Sequence, residues 1–109
     1  MATGRLGTAN ITSTADTTIY TVPSSTFAVV SVSICNRNAS TACDVRVAIA
    51  SSATPGAAEY IEYDTSLVAK GVLERTGLVM DAGKILVVTV SSASPTVSVV
   101  AMGIETSTA

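Results

Sequence analysis

The run Lys84-Ile-Leu-Val-Val-Thr-Val-Ser91, followed closely by Thr96-Val-Ser-Val-Val-Ala-Met-Gly-Ile-Glu105, constrains this chain more than any other feature. Both segments read as β-strands, in which successive side chains point to opposite faces. Leu86, Val88 and Val90 share one face, and Ile85 and Val87 lie on the other. In the second segment Val97, Val99 and Ala101 oppose Val100, Met102 and Ile104. A sheet with one face in a core and one in water needs apolar side chains on only one face. Strands apolar on both faces need a cover for the second. The expectation is a subunit packed against copies of itself or a partner, with Ile85, Val87, Val100, Met102 and Ile104 as the face to be covered.

The rest of the chain fits a single β-domain. Its 109 residues suit one domain, with the first four and last four residues expected as loose ends. Charged residues make up 13% of the chain, against about 25% in typical soluble domains. Ser and Thr must therefore supply most of the polar surface. Thr, Val and Ile suit a pleated sheet because their branched side chains pack well there.

Eight strands are expected: Arg5–Ile11, Thr17–Val22, Phe27–Asn36, Asp44–Ala50, Glu59–Asp64, Gly71–Met80, Ile85–Ser91 and Thr96–Glu105. Pro23-Ser-Ser25, the polar run 36–42, Pro55-Gly56, Asp81-Ala-Gly83 and Ser94-Pro95 separate them. Short, evenly punctuated strands predict an all-β fold, an antiparallel β-sandwich of about eight strands, of which a jelly roll is one arrangement. In the third strand Val30, Val32 and Ile34 face inward and Ser31 and Ser33 outward. In the fourth, Val45, Val47 and Ile49 face inward, opposite Asp44 and Arg46. Gly77, beside Glu74 and Arg75, predicts a bulge.

The residues name little chemistry. There is no histidine, so Ser-His-Asp and Cys-His catalysis have no base within the chain. No enzyme activity, cofactor or metal is expected. Cys35 and Cys43 have opposite parity and are expected as free thiols, since cross-strand partners share a face, with a bulge as the one way to let them pair. The six basic residues are scattered, which argues against a nucleic-acid footprint. No apolar run reaches the ~20 residues of a membrane helix.

The one acidic cluster is Glu59-Tyr-Ile-Glu-Tyr-Asp64. Regular alternation would place Tyr60, Glu62 and Asp64 on one face, where two carboxylates could serve a glycosidase or a calcium ion. The preferred reading is a charged edge strand that resists unwanted strand addition. Tyr60, Glu62, Tyr63 and Asp64 are also the best candidates for a ligand surface. Tyr60 and Tyr63 have opposite parity, so no shared aromatic platform is expected. Glu74 and Arg75 read as ordinary surface charge, with an inter-subunit ion pair as the other reading.

Three segments support a family resemblance. The first is Thr17-Thr-Ile-Tyr-Thr-Val-Pro23, leading after a short turn into Val29-Val-Ser-Val-Ser-Ile-Cys-Asn-Arg37. The second is Ala58-Glu-Tyr-Ile-Glu-Tyr-Asp-Thr65. The third is Gly71-Val-Leu-Glu-Arg-Thr-Gly-Leu-Val-Met-Asp-Ala-Gly83, with Val99-Val-Ala-Met-Gly-Ile-Glu105. Together they resemble small virion-associated proteins of tailed bacteriophages, including contractile-tailed phages of cyanobacteria. The resemblance spans about Ala2 to Glu105.

It implies a non-enzymatic, multi-copy structural β-protein of the virion, made in the host bacterial cytoplasm. Its partners would be itself, with a trimer as the expected oligomer, and other virion proteins. Capsid decoration, neck, baseplate and fibre-associated positions all remain compatible. A receptor- or carbohydrate-binding module on the virion is the alternative.

Overall fold

Among the described residues the β-rich composition folds into eight strands and one short 3-10 turn. The computed structural model describes residues 2–92 and 94–108. The strands are β1 (Thr3–Ile11), β2 (Thr17–Thr21), β3 (Thr26–Asn36), β4 (Cys43–Ala50), β5 (Tyr60–Leu67), β6 (Val72–Met80), β7 (Ile85–Ser91) and β8 (Val97–Ser107). They form two antiparallel four-stranded sheets, a β-sandwich. The first sheet has the order β1-β8-β3-β6 and the second β2-β7-β4-β5. Among the described residues no helix is long and apolar enough to cross a membrane.

The connectivity is that of one long hairpin wrapped on itself. Its tip is β4 paired with β5, and outward from the tip come β3 with β6, β2 with β7 and β1 with β8. Successive pairs alternate between the sheets, so the hairpin's two arms wrap around a common core. Alternation along β3 is clean: Ala28, Val30, Val32 and Ile34 are buried, and the residues between them are more exposed. Val45, Val47, Leu86, Val88 and Val90 meet them from the second sheet. Ile49 is partly buried against the same core.

Two glycines solve backbone problems. Gly77 adopts φ +68°, where an L-residue is disfavoured. It lies where the β3–β6 register shifts between Val30 and Val32, leaving Thr76 and Gly77 opposite Ser31. This is a β-bulge. At Gly103 a Cβ would lie 2.0 Å from the carbonyl oxygen of Val29. Only a glycine lets β8 approach β3 there.

The boundaries depart from the sequence expectation most at the chain ends and around β5, which runs to Leu67 rather than Asp64. Strand pairing enters both stretches expected to be loose. Thr3 and Gly4 pair with Ile104 and Gly103, and Thr106 and Ser107 pair with Phe27 and Thr26. The Glu105 carboxylate helps hold the start of the chain: Oε1 accepts from the Ala2 amide at 2.9 Å, and Oε2 accepts from the Tyr20 hydroxyl at 2.5 Å. Burial, then the hydrogen bond to Glu105 and its charge, pushes the Tyr20 phenol well above its usual range.

Glu59 is the second departure. It ends the 3-10 turn Ala57–Glu59 rather than opening β5. Its carboxylate accepts from the amides of Gly56 at 2.8 Å and Ser51 at 3.0 Å. Those two bonds hold it below the usual carboxylate range.

Asn36 closes the end of β3 near the β5–β6 connection. It is buried, and its Nδ2 donates to the carbonyls of Thr41 at 3.0 Å, Val68 at 3.2 Å and Leu67 at 3.3 Å. One amide thus ties the loop after β3 to the end of β5. Cys35 and Cys43 are free thiols; Cys35 is half-buried on an outer face and Cys43 is buried in the core.

Candidate functional site

The sandwich presents two outer faces, and the predicted interface residues divide between them. Ile85 and Val87 lie on the second sheet. Val100, Met102 and Ile104 lie on the first.

On the second sheet, the chain covers the apolar centre of its own outer face. Val87 is only 1% exposed. It forms a small cluster with Ala48 and Ala50, against which Tyr60 and Ile85 pack. Val87 therefore cannot be part of a bare face. The cover arrives from β5, which sequence alternation could not place.

Two irregularities in the β4–β5 ladder explain that placement. Val45 pairs with Thr65 and Val47 with Glu62, so Tyr63 and Asp64 together oppose Arg46. The next pair is Ala48 with Tyr60, which leaves Ile61 unpaired. Each extra residue reverses the alternation. Asp64 takes φ +53° to make the first bulge.

The expected grouping on β5 is thereby rearranged. Tyr60 and Tyr63, expected apart, meet edge to face at 5.1 Å between ring centroids. Glu62 and Asp64, expected together, have separate partners. Asp64 accepts from Arg46 Nε at 2.6 Å and Nη2 at 3.2 Å. The Arg46 guanidinium also lies 4.0 Å over the Tyr63 ring. Its bonds to Arg46 hold Asp64 below the usual carboxylate range and push Arg46 up.

Glu62 turns toward the other sheet. Its Oε1 accepts from Thr65 Oγ1 at 2.6 Å, and its Oε2 pairs with Arg75 of β6. The Thr65 hydrogen bond, then that with Arg75, holds Glu62 below its usual range. Arg75 also donates to the Ile61 carbonyl at 3.3 Å. Its ion pair thus lies within the subunit and fastens the two sheets where edge strands β5 and β6 meet. The inter-subunit reading of Arg75 is replaced by this one.

Beside this cluster lies a shallow pocket of about 190 Å³, lined by Thr14, Asp44, Arg46, Thr89, Val90 and Ser91. Its lining is polar apart from Val90. Asp16 accepts from Thr89 Oγ1 at 2.7 Å nearby.

The first sheet is different. Val79 on β6 pairs with Val29 on β3, which pairs with Ile104 on β8, which pairs with Thr3 on β1. Directly paired residues place their side chains on the same face, so these four form one row across the whole sheet. Val79 is 70% exposed, Ile104 54% and Val29 41%. Phe27, the only phenylalanine, and Met102 flank the row and are also exposed. Val100 sits further along the same face and is half-buried. A patch of this kind is unusual on a subunit that works alone.

No family model matches the chain, and no curated protein matches it. Among solved structures it is similar to a chain of the cyanophage Pam1 capsid asymmetric unit. The two are 17% identical, with a TM-score of 0.44, over 93% of this chain and 83% of that one. A likeness of that size decides neither fold nor role.

Proposed function

We propose that this protein is a non-enzymatic structural subunit of a bacteriophage particle, held to its neighbours by the outer face of its first sheet. The carrying observation is the exposed row Val79–Val29–Ile104 with Phe27 and Met102 beside it. Apolar surface gains about 25 cal/mol for each Å² removed from water, so such a row favours contact with another protein. The resemblance of Thr18–Pro23, Cys35–Arg37 and Tyr63–Thr65 to phage virion proteins supplies the particle. We read the wrapped hairpin as a jelly roll, an arrangement that serves in viral capsid and lectin domains. The separate arginine partners of Glu62 and Asp64 favour a structural role for these carboxylates.

A second reading is a carbohydrate- or receptor-binding module on the virion. The observation in its favour is the meeting of Tyr60 and Tyr63 beside the polar pocket.

Two measurements test the leading reading. Wild-type protein should self-associate in light scattering, and Ile104→Lys should leave a folded monomer. Immunogold labelling should place the protein on intact particles. A wild-type monomer with no affinity for other virion proteins, or unlabelled particles, would overturn it.

A further inference from the structure

Two charged strand residues lie on the outer face of the first sheet beside its apolar row. Arg5 on β1 pairs with outward Met102 of β8, so it lies at one edge. Glu74 on β6 pairs with outward Ser33 of β3, so it lies at the opposite edge. Both are exposed, and neither has an ion pair or side-chain hydrogen bond among the described residues. The other arginines all have partners: Asn10 for Arg37, Asp64 for Arg46 and Glu62 for Arg75. Arg5 and Glu74 thus stand unpaired, with opposite signs, on opposite sides of an apolar centre.

We propose that a second copy of this chain covers this face, packed sheet against sheet about a two-fold axis running along the strands. Such an axis lays the β1 edge of each subunit over the β6 edge of the other. It pairs Arg5 with Glu74 twice, as an isologous interface requires. Because β8 of each copy then lies over β3 of the other, Ile104 of one subunit meets Val29 of its partner, twice across the axis. An axis running across the strands would instead lay β1 on β1 and leave both charges without opposite partners.

Along the strands, Arg5 lies level with Met102 and Glu74 level with Val100, through Ser33. That offset is two residues, about 7 Å, which the extended arginine side chain crosses.

The area also fits. Four strands spaced about 4.8 Å apart are about 19 Å wide, and an 11-residue strand is about 37 Å long. The face therefore offers about 700 Å² per subunit, near the roughly 800 Å² per partner of a stable complex. This inference rests on the assembly reading above. It favours two copies over the trimer expected from the sequence.

Charge reversal provides the test, read by sedimentation equilibrium of the full chain. Arg5→Glu and Glu74→Arg should each weaken the dimer about tenfold or more, because each creates two like-charge contacts. The double variant should recover wild-type affinity. An equimolar mixture of the two single variants should also dimerise, since both contacts in the mixed dimer join opposite charges. Association abolished by Ile104→Lys but indifferent to the reversals would overturn this geometry and leave the assembly reading standing. A trimer, or a reversal not rescued by its complement, would also overturn it. A wild-type monomer at the highest soluble concentration would overturn the dimer, while particle labelling would still decide the virion role.

Discussion

On the outer face of the second sheet, Val87 is closed over by a cluster that Tyr60 and Ile85 complete. On the outer face of the first sheet, Ile104 and Val79 stand in solvent. In sequence the strands look alike, each apolar on both faces. The difference lies in their neighbours. Val87 sits beside Ala48, whose short side chain leaves room, and the β5 bulges deliver a tyrosine there. Ile104 sits between Thr3 and Val29 and stays 54% exposed. An apolar outer face is therefore an interface only where the chain has not supplied its own cover.

The sharpest way to break this comparison is to place the same charge on both faces. Val87→Lys would bury an ammonium group without a partner. It should cost about 3–5 kcal/mol and unfold much of the protein at moderate denaturant. Ile104→Lys should change stability by no more than about 0.5 kcal/mol, as at other exposed positions, while abolishing association. Urea unfolding of the two variants as dilute monomers checks both values. Equal losses at the two positions would show that the faces do not differ in this way.

How much of this was legible in the residues depends on what set each feature. The inward row of β3 follows from strand alternation alone, and the sequence predicts it through Ile34. The bulge at Gly77 was also legible, because a glycine within a strand marks it. The bulges of β5 carry no such mark. Asp64, not a glycine, takes the positive φ, and its position is favoured by Arg46 on the neighbouring strand. Sequence alternation therefore put Glu62 with Asp64 and kept the tyrosines apart, both opposite to what forms. Asn36 was hidden for a related reason. Read as the start of a polar loop, it is buried by the distant carbonyls of Leu67 and Val68. The Val100–Ile104 half of the expected face lies on the exposed sheet, whereas Val87 was misassigned because its cover comes from a strand out of register.

A smaller effect should appear where the two sheets are fastened, at Glu62 and Arg75. Glu62 titrates below its unfolded value, near 4.3, because Thr65 and Arg75 stabilise its charge. The folded state thus holds the proton less tightly than the unfolded chain does. The resulting stability is complete above about pH 5, begins to fall near the unfolded value and is gone below the folded one. Glu62→Gln should be less stable than wild type at neutral pH, and the gap should close as pH falls through the lowered folded value. Comparing the two proteins cancels the titration of Glu59, Asp64 and Glu105. A gap that stays constant with pH would show that the charge of Glu62 does not fasten the sheets.

The smallest effect is expected at Tyr63. Its ring is exposed and carries the Arg46 guanidinium over one side. An exposed contact of this kind contributes about 0.5–1 kcal/mol. Asp64 would still hold Arg46 in Tyr63→Ala, so the loss should stay within that range. Association should not change, because this side chain lies on the second sheet, away from the exposed apolar row of the first. The same variant separates the two functional readings. Glycan-array binding by wild type that disappears in Tyr63→Ala would make the second sheet a ligand surface and leave the first as the means of assembly. Loss of self-association in Tyr63→Ala would place the subunit contact on the second sheet and reverse the assignment of the two faces.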